Sequence, residues 1–196
     1  MGLGSVTEPD YHPMQEGINE VIATSNLNAA PMGIINRNGR LMMAVYRTSH
    51  TASNIERDCF FVANISHDPV LFVRTAFNDL PPEEFIEDVI EGRKVSRLRD
   101  CPSWVLYAAR VDQKTGQKIL FVLDPIKKYL ALSQMIPVNR GFNSVIEAAV
   151  HGTRYIFTKD PSLKQLIDHH ADLVHRCGGR RDLEALALLY QYISEP

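Results

Sequence analysis

The chain has 196 residues, of which 45% are hydrophobic and 22% are charged, as is typical of a soluble globular protein. Its formal net charge of -2 excludes a general positive surface for nucleic acid or an anionic membrane. No apolar run approaches the ~20 residues of a membrane span. Without a secretory pattern, and with three widely spaced cysteines (Cys59, Cys101 and Cys177), the chain is expected to be cytoplasmic with reduced thiols.

The first two thirds of the chain are dominated by apolar runs of strand character. They follow a lead-in over residues 1–16 that has no periodicity. Asn38-Gly39, between the second and third runs, is typical of a two-residue type I′ hairpin. The predicted strands cover residues 19–25, 30–36, 40–47, 59–65, 104–112 and 118–130.

Helical signals lie between these strands and after them. Residues 48–57 form either a loop or a single helical turn. Asp68-Pro69 predicts a helix start, because aspartate caps helices and proline suits their first position. A second short helical segment opens at residues 81–84 and places Phe85, Ile86, Val89 and Ile90 inward, and residues 91–102 then form a basic, irregular segment.

Helical patterns dominate the C-terminal part. They cover residues 141–152, a segment that begins at Asp160-Pro161 and ends at Gly178-Gly179, and residues 182–193. Strands first and helices late indicate an α+β protein, with a small antiparallel barrel and a helical C-terminal part. We expect a lead-in over 1–16, a barrel domain over 17–136 and a helical part over 137–196 that packs on the barrel.

The best candidate site lies where the third strand ends. Arg47, Ser49, Thr51 and Asn54 place a cation beside small hydrogen-bonding side chains at one edge of the sheet. A phosphate is held by this combination of a guanidinium group, hydroxyl donors and backbone N–H groups. The alternative is a solvated loop with a serine or asparagine cap. Gly33, on the second strand, could let a flat ligand approach the backbone closely.

The later helices offer weaker candidates. Arg140 stands at a helix start, where an anion would be favoured, but a cap with a surface arginine explains it as well. His151 and Arg154 suit the end of a helix, where cations complement its dipole. Asp168, Asp172 and His175, with His169 and Cys177 nearby, have metal-like spacing, yet we interpret them as a solvated helix face and predict no metal site. No spacing identifies catalytic residues, which a bound cofactor would make unnecessary.

Several segments resemble, in the same order, an uncharacterised and mainly archaeal flavoprotein family. That family belongs to the FMN-binding split-barrel superfamily, whose members are flavin reductase-like or pyridoxamine phosphate oxidase-like. The segments are Gly17-Ile18-Asn19-Glu20 through Thr24, Asn28-Ala29-Ala30-Pro31-Met32-Gly33, Tyr46-Arg47-Thr48-Ser49-His50-Thr51 with Asn54, Val62-Ala63-Asn64-Ile65 with Asp68-Pro69, and Asn139-Arg140-Gly141 with Ile146-Glu147-Ala148.

The resemblance implies a six-stranded antiparallel split barrel that forms a homodimer, with FMN at or near the interface. It implies that the phosphate lies near the end of the third strand and the flavin ring against the second. The implied neighbours of FMN are Arg47, Ser49, Thr51, Asn54, Ala30, Met32, Gly33, Thr24, Asn64 and Arg140.

Three functions remain open under this resemblance. The first is a flavin-dependent oxidoreductase of unknown substrate, supplied by a reduced nicotinamide or deazaflavin. The second is a non-catalytic flavin carrier or sensor. The third is a related barrel that binds another cofactor, such as haem or a pterin, because one fold hosts many functions.

Overall fold

The computed structural model describes residues 13–14, 17–131 and 140–194. The chain divides into two compact units, which we describe separately. The first comprises Met1–Ser66 and Leu80–Gln134, and the second comprises His67–Asp79 and Met135–Pro196. None of the helices in the described ranges is long and apolar enough to cross a membrane.

The first unit is a closed antiparallel barrel with one α-helix, a short 3-10 helix (Pro82–Glu84) and a separate hairpin. The elements are β1 (Gly17–Ser25), β2 (Asn28–Arg37), β3 (Arg40–Tyr46), α1 (His50–Asp58), β4 (Phe60–Ile65), β5 (Phe85–Ile90), β6 (Arg93–Leu98), β7 (Ser103–Lys114) and β8 (Lys118–Tyr129). The barrel strands follow one another in the order β1-β2-β3-β8-β7-β4, and β5 pairs with β6 in a second sheet.

The predicted strands and the α+β class are confirmed. All six predicted strands form the barrel, with β1, β2 and β7 longer than expected. The type I′ hairpin is also confirmed, because Asn38 and Gly39 both adopt the left-handed conformation, with φ of 51° and 79°.

The core lies inside the barrel and is built by alternate residues of its strands. Val21, Met43, Phe61, Tyr107 and Phe121 are almost completely buried in it. The rings of Phe61 and Tyr107 stack with centroids 5.6 Å apart. The intervening side chains of these strands face outward, as the period of two requires.

The region after residue 84 differs from the prediction. Pro82–Glu84 form a 3-10 helix where the helical segment was predicted to open. Phe85–Ile90 and Arg93–Leu98 are two strands, so the prediction that this helical segment continues, and the prediction that residues 91–102 are irregular, are both wrong there. Glu91 and Gly92 form the turn with φ of 49° and 73°. Val89 does not face inward, since it is 69% exposed. The left-handed turn joins two strands whose branched side chains favour extended backbone.

The β5–β6 hairpin covers an outer face of the barrel. Val95 of β6 is buried with Val62 and Leu106, which point away from the barrel interior. This second cluster explains why β4 is apolar on both faces, as the sequence of that strand predicted.

The residues between β3 and β4 form a true helix, α1, rather than a loop or a single turn. Ser49 caps its N-terminus. Cys59 ends the helix in the left-handed conformation, with φ of 60°, and its N–H bonds the Ile55 carbonyl.

Over its described residues, 67–79 and 140–194, the second unit is built of four helices. They are α2 (Pro69–Phe77), α3 (Arg140–Thr158), α4 (Pro161–Cys177) and α5 (Arg180–Ser194). Asp68 and Asp160 cap α2 and α4 as predicted, each followed by proline. Helix α3 extends beyond the predicted residues 141–152. The apolar sides of all four helices enclose a core of their own.

Candidate functional site

The N-terminus of α1 is capped by Ser49. The Ser49 hydroxyl donates to the Tyr46 carbonyl at 2.8 Å and accepts from the Ala52 N–H at 3.1 Å. The Ser49 carbonyl accepts the Ser53 N–H. The N–H groups of His50 and Thr51 are therefore left without an acceptor among the described residues, as is usual in a first helical turn.

This helix start has a favourable electrostatic setting for an anion. The first turn of α1 contains no acidic residue. Arg47 is exposed two residues before the cap residue Ser49, and its Nη1 donates to the Thr115 carbonyl in the β7–β8 turn at 3.2 Å. This hydrogen bond uses one of the five N–H donors of the guanidinium group. The other donors stay available at the end of the barrel where α1 begins. The helix dipole and the guanidinium charge both favour negative charge here.

Two amide side chains attach α1 to the β1–β2 turn. Asn28 donates from Nδ2 to the buried Thr51 hydroxyl at 3.0 Å, and Asn54 donates to the Ser25 carbonyl at 3.0 Å. The first bond fixes the helix start relative to β2, and the second fixes the middle of α1 relative to the end of β1. Asn28 was not among the predicted site residues, although it opens the segment that carries the resemblance, because its contact with Thr51 depends on strand placement.

The predicted ring neighbours lie along β2 but on different faces. Met32 packs partly against the barrel core, and Ala30 stands two residues before it on the same face. Gly33 lies on the opposite face, where an added Cβ would meet Ile18 Cγ2 at 2.9 Å and Glu20 Oε1 at 3.3 Å. Side chains of β1 thus use the space beside Gly33, an arrangement the sequence did not indicate.

Thr24 and Asn64 hold strands together. Asn64 is completely buried, donates to the Ile22 carbonyl at 2.8 Å and to the Thr24 hydroxyl at 3.0 Å, and accepts the Leu98 N–H at 2.9 Å. The Thr24 hydroxyl donates to the Ser96 carbonyl at 2.6 Å. These contacts link β1, β4 and β6. The polar atoms of Thr24 and Asn64 are thus hydrogen-bonded within the protein.

Arg140 is the first residue of α3 in the helical unit. Its side chain is not among those that the structure describes, so its predicted contact with FMN stays a prediction. The structure therefore brings Arg47, Ser49, Thr51 and Asn54 into one region, with Ala30, Met32 and Gly33 on the adjacent strand.

A cavity of approximately 420 Å³ lies between the β1–β2 turn, the end of α1 and β6. Its Ser25 hydroxyl oxygen is buried and has no hydrogen-bond partner among the described residues. The cations at its wall are already paired, Lys94 with Glu87 at 3.1 Å and Arg57 with Asp58 at 2.6 Å. The hydrogen bonds from Arg57 hold the pKa of the Asp58 carboxyl below its ordinary value. The cavity is therefore polar but less suited to a phosphate than the start of α1.

Comparison with known proteins gives matches for both parts of the chain. A family model described as the N-terminal domain of a protein of unknown function (DUF447) matches residues 19–131. A second model, described as protein of unknown function (DUF447), matches residues 139–191.

Solved structures are similar to this chain over different shares of its length. An FMN-bound protein, MM1853 from Methanosarcina mazei, is 34% identical with a TM-score of 0.85 and covers 91% of this chain and 96% of its own. A flavin reductase domain protein from Arthrobacter sp. FB24 has 15% identity, a TM-score of 0.47 and coverage of 62% and 90%. Flavoredoxin from Methanosarcina acetivorans has 15% identity, a TM-score of 0.45 and coverage of 62% and 72%.

The MM1853 structure is itself described by the DUF447 family model. Its similarity extends over nearly all of both chains, and the two family models together account for the barrel and the helices. This chain belongs to the DUF447 family.

Proposed function

We propose that this protein binds FMN and holds its phosphate at the start of α1. The observation that carries the proposal is the pair of available N–H groups, on His50 and Thr51, at a helix start that follows the exposed Arg47 by two residues. A phosphate group takes several such donors at once, and positive partial charge at a helix start strengthens each bond. The description of the 34% identical MM1853 as FMN-bound supports the choice of ligand.

The flavin ring would lie along β2, against the backbone between Ala30 and Gly33. Asn28 links that strand to Thr51, so the ring region and the phosphate region are held at a fixed separation. Thr24 and Asn64 would support FMN only through the strands they join, because their polar atoms are bonded internally. Arg140 remains a predicted contact. We also propose a homodimer with FMN at or near its interface, as the family resemblance implies.

The activity that this cofactor favours is oxidoreduction of a substrate that remains unknown. When bound, FMN supplies hydride or electron transfer, and a reduced nicotinamide or deazaflavin would serve as donor. The contribution of the chain would be to hold the phosphate through Arg47 and the α1 N–H groups and to orient the ring. A carrier or sensor would share the binding site but lack turnover.

FMN binding can be tested by titration of the flavin-free protein. Arg47→Ala should weaken FMN by about 1.5–3 kcal/mol, which is about 10- to 150-fold, because it removes hydrogen bonds from a charged group. Arg40→Ala is the matched control: Arg40 starts the same strand and pairs with Asp112 at 2.9 Å. Its affinity for FMN should stay at the level of the unchanged protein.

Two outcomes would contradict this assignment. Equal affinities of the Arg47 and Arg40 variants would reject Arg47 as the phosphate anchor. A protein that is colourless as purified and takes up no added FMN would reject the cofactor. Once binding is established, steady oxidation of a reduced nicotinamide or deazaflavin by the holoprotein would support the oxidoreductase and exclude the carrier.

A further inference from the structure

Helices α3 and α4 bring three side chains with metal-binding atoms together in the helical unit. Glu147 and His151 stand four residues apart on α3, so they share one face of that helix. His170 reaches them from α4. One potential ligand atom of each residue lies within 4.8 Å of those of the other two.

One buried nitrogen of each imidazole ring lacks a hydrogen bond among the described residues. The two rings stack with centroids 5.7 Å apart and an interplanar angle of 26°. Nδ1 of His151 and Nδ1 of His170 are both buried without a partner in the part of the chain that the structure describes. Buried polar atoms without partners are uncommon in folded proteins, and two in one contact call for an explanation.

A metal ion supplies that explanation. Two imidazoles and a carboxylate are the protein ligands of many zinc sites and of non-haem iron sites. We propose that Glu147, His151 and His170 form a binding site for a divalent first-row transition metal. Three protein ligands leave further coordination positions for water or another small ligand.

The surroundings of the cluster fit this site. Glu147 is exposed whereas both histidines are half-buried, so an ion would have access from solvent and would be held between the helices. Burial, the largest influence, lowers the pKa of His170, and this favours the neutral ring that donates a lone pair to metals. Glu147 provides the compensating negative charge. Nitrogen donors argue against Mg²⁺ and Ca²⁺, which prefer oxygen ligands.

Packing of two histidines without any metal is the competing explanation, and metal titration separates the two. The probe is Zn²⁺, added to full-length protein that has been treated with chelator and carries no polyhistidine tag. Calorimetry should give one Zn²⁺ per chain. Glu147→Gln, His151→Asn and His170→Asn should each weaken Zn²⁺ at least about tenfold, since even outer contacts of metal sites have effects of that size.

His175→Asn is the matched control, because His175 is exposed in the last turn of the same helix as His170. It should leave the Zn²⁺ affinity unchanged. No stoichiometric binding, or an affinity that none of the three cluster variants alters, would overturn the site. Glu147→Gln changes an exposed side chain without changing its shape, so it tests the proposal even if a histidine variant fails to fold. Full affinity in that variant would exclude the three-residue site.

Discussion

Asn64 offers a decisive test of whether the polar residues on the outer face of β1 and β4 hold the barrel or bind the cofactor. Its side chain makes three hydrogen bonds of 3.0 Å or less, and it is completely buried. Each such bond contributes about 0.5–1.5 kcal/mol, and a buried N–H left without a partner costs about 1–3 kcal/mol. Asn64→Ala should therefore lower the free energy of unfolding by about 3–4 kcal/mol.

The Thr24 hydroxyl belongs to the same network, so the two residues should be coupled. Thr24→Val should destabilise by about 1–2 kcal/mol, because it removes the bonds to Asn64 and to the Ser96 carbonyl. The double variant should lose less than the sum of the single losses, by at least about 0.5 kcal/mol, as is usual for residues in one network.

Urea unfolding of the flavin-free protein provides the assay. Trp104 is the only tryptophan of the chain and stands opposite Asn64 in the β4–β7 register, so its fluorescence reports on the barrel. Asn78→Ala is the control. Asn78 is exposed and belongs to the helical unit, and its side chain makes a hydrogen bond to the Tyr192 hydroxyl. It should leave the Trp104 transition unchanged.

The opposite pattern would refute the reasoning. If Asn64→Ala changed stability by less than about 1 kcal/mol but weakened FMN more than about tenfold, Asn64 would be a cofactor contact. Additive effects of the Thr24 and Asn64 changes would likewise show that the hydrogen bond between them contributes little.

Two further predictions concern the helical unit. Burial, together with the charges of His151 and His169, lowers the pKa of His170 below 6.5 despite the opposing charge of Glu147. In the pH range between the folded and unfolded pKa values of His170, the unfolded chain binds more protons at this residue than the folded chain does. Stability in chelator should therefore decrease as pH falls below 6.5 and level off once the folded pKa is passed. Denaturation at several pH values should show this slope reduced in His170→Asn, and an unchanged slope would contradict it. A Cβ at Gly152 would lie 2.8 Å from Leu189 Cδ1, so Gly152→Ala should lower helical-unit stability by about 1–3 kcal/mol in circular dichroism melts, whereas a rise would show that α5 can shift.

Local signals account for the elements that were predicted well. Asn38-Gly39 specifies a hairpin by itself, because only a few residues tolerate two consecutive left-handed conformations. Asp68-Pro69 and Asp160-Pro161 specify helix starts through one side-chain cap and one fixed φ. Such signals need no tertiary contact, so the sequence was sufficient.

The β5–β6 hairpin could not be identified in this way. The apolar residues Phe85, Ile86, Val89 and Ile90 fit helical spacing as well as they fit an irregular strand. The acidic residues interspersed with them are typical of the exposed face of a helix. What decides for strands is the burial of Val95 against Val62 and Leu106, which are distant in sequence. Tertiary packing of this kind overrides local periodicity.

The candidate site was only partly predictable for the same reason. The segment from Arg47 to Asn54 carries its chemistry in consecutive residues and could be singled out. The bond from Asn28 to Thr51 depends on how strands align. The cluster of Glu147, His151 and His170 depends on the packing of α3 against α4. Spacing within a single helix indicates a different set, Asp168, Asp172 and His175.

The helical unit is interrupted in sequence, and this has a consequence for synthesis on the ribosome. Helix α2 is synthesised before β7 and β8, two of the six barrel strands, and before the three helices that share its core. Its apolar residues Val70 and Val73 are buried in a cluster with residues of α3, α4 and α5. Asp68 likewise forms its salt bridge with Arg181, at 2.7 Å, only after α5 has been synthesised. During translation Val70 and Val73 therefore lack their partners in this core until the later helices have been made. Chains that end between β8 and α5, through stalling or premature termination, would expose the apolar residues of α2. Exposed apolar surface of this kind promotes aggregation and is bound by chaperones.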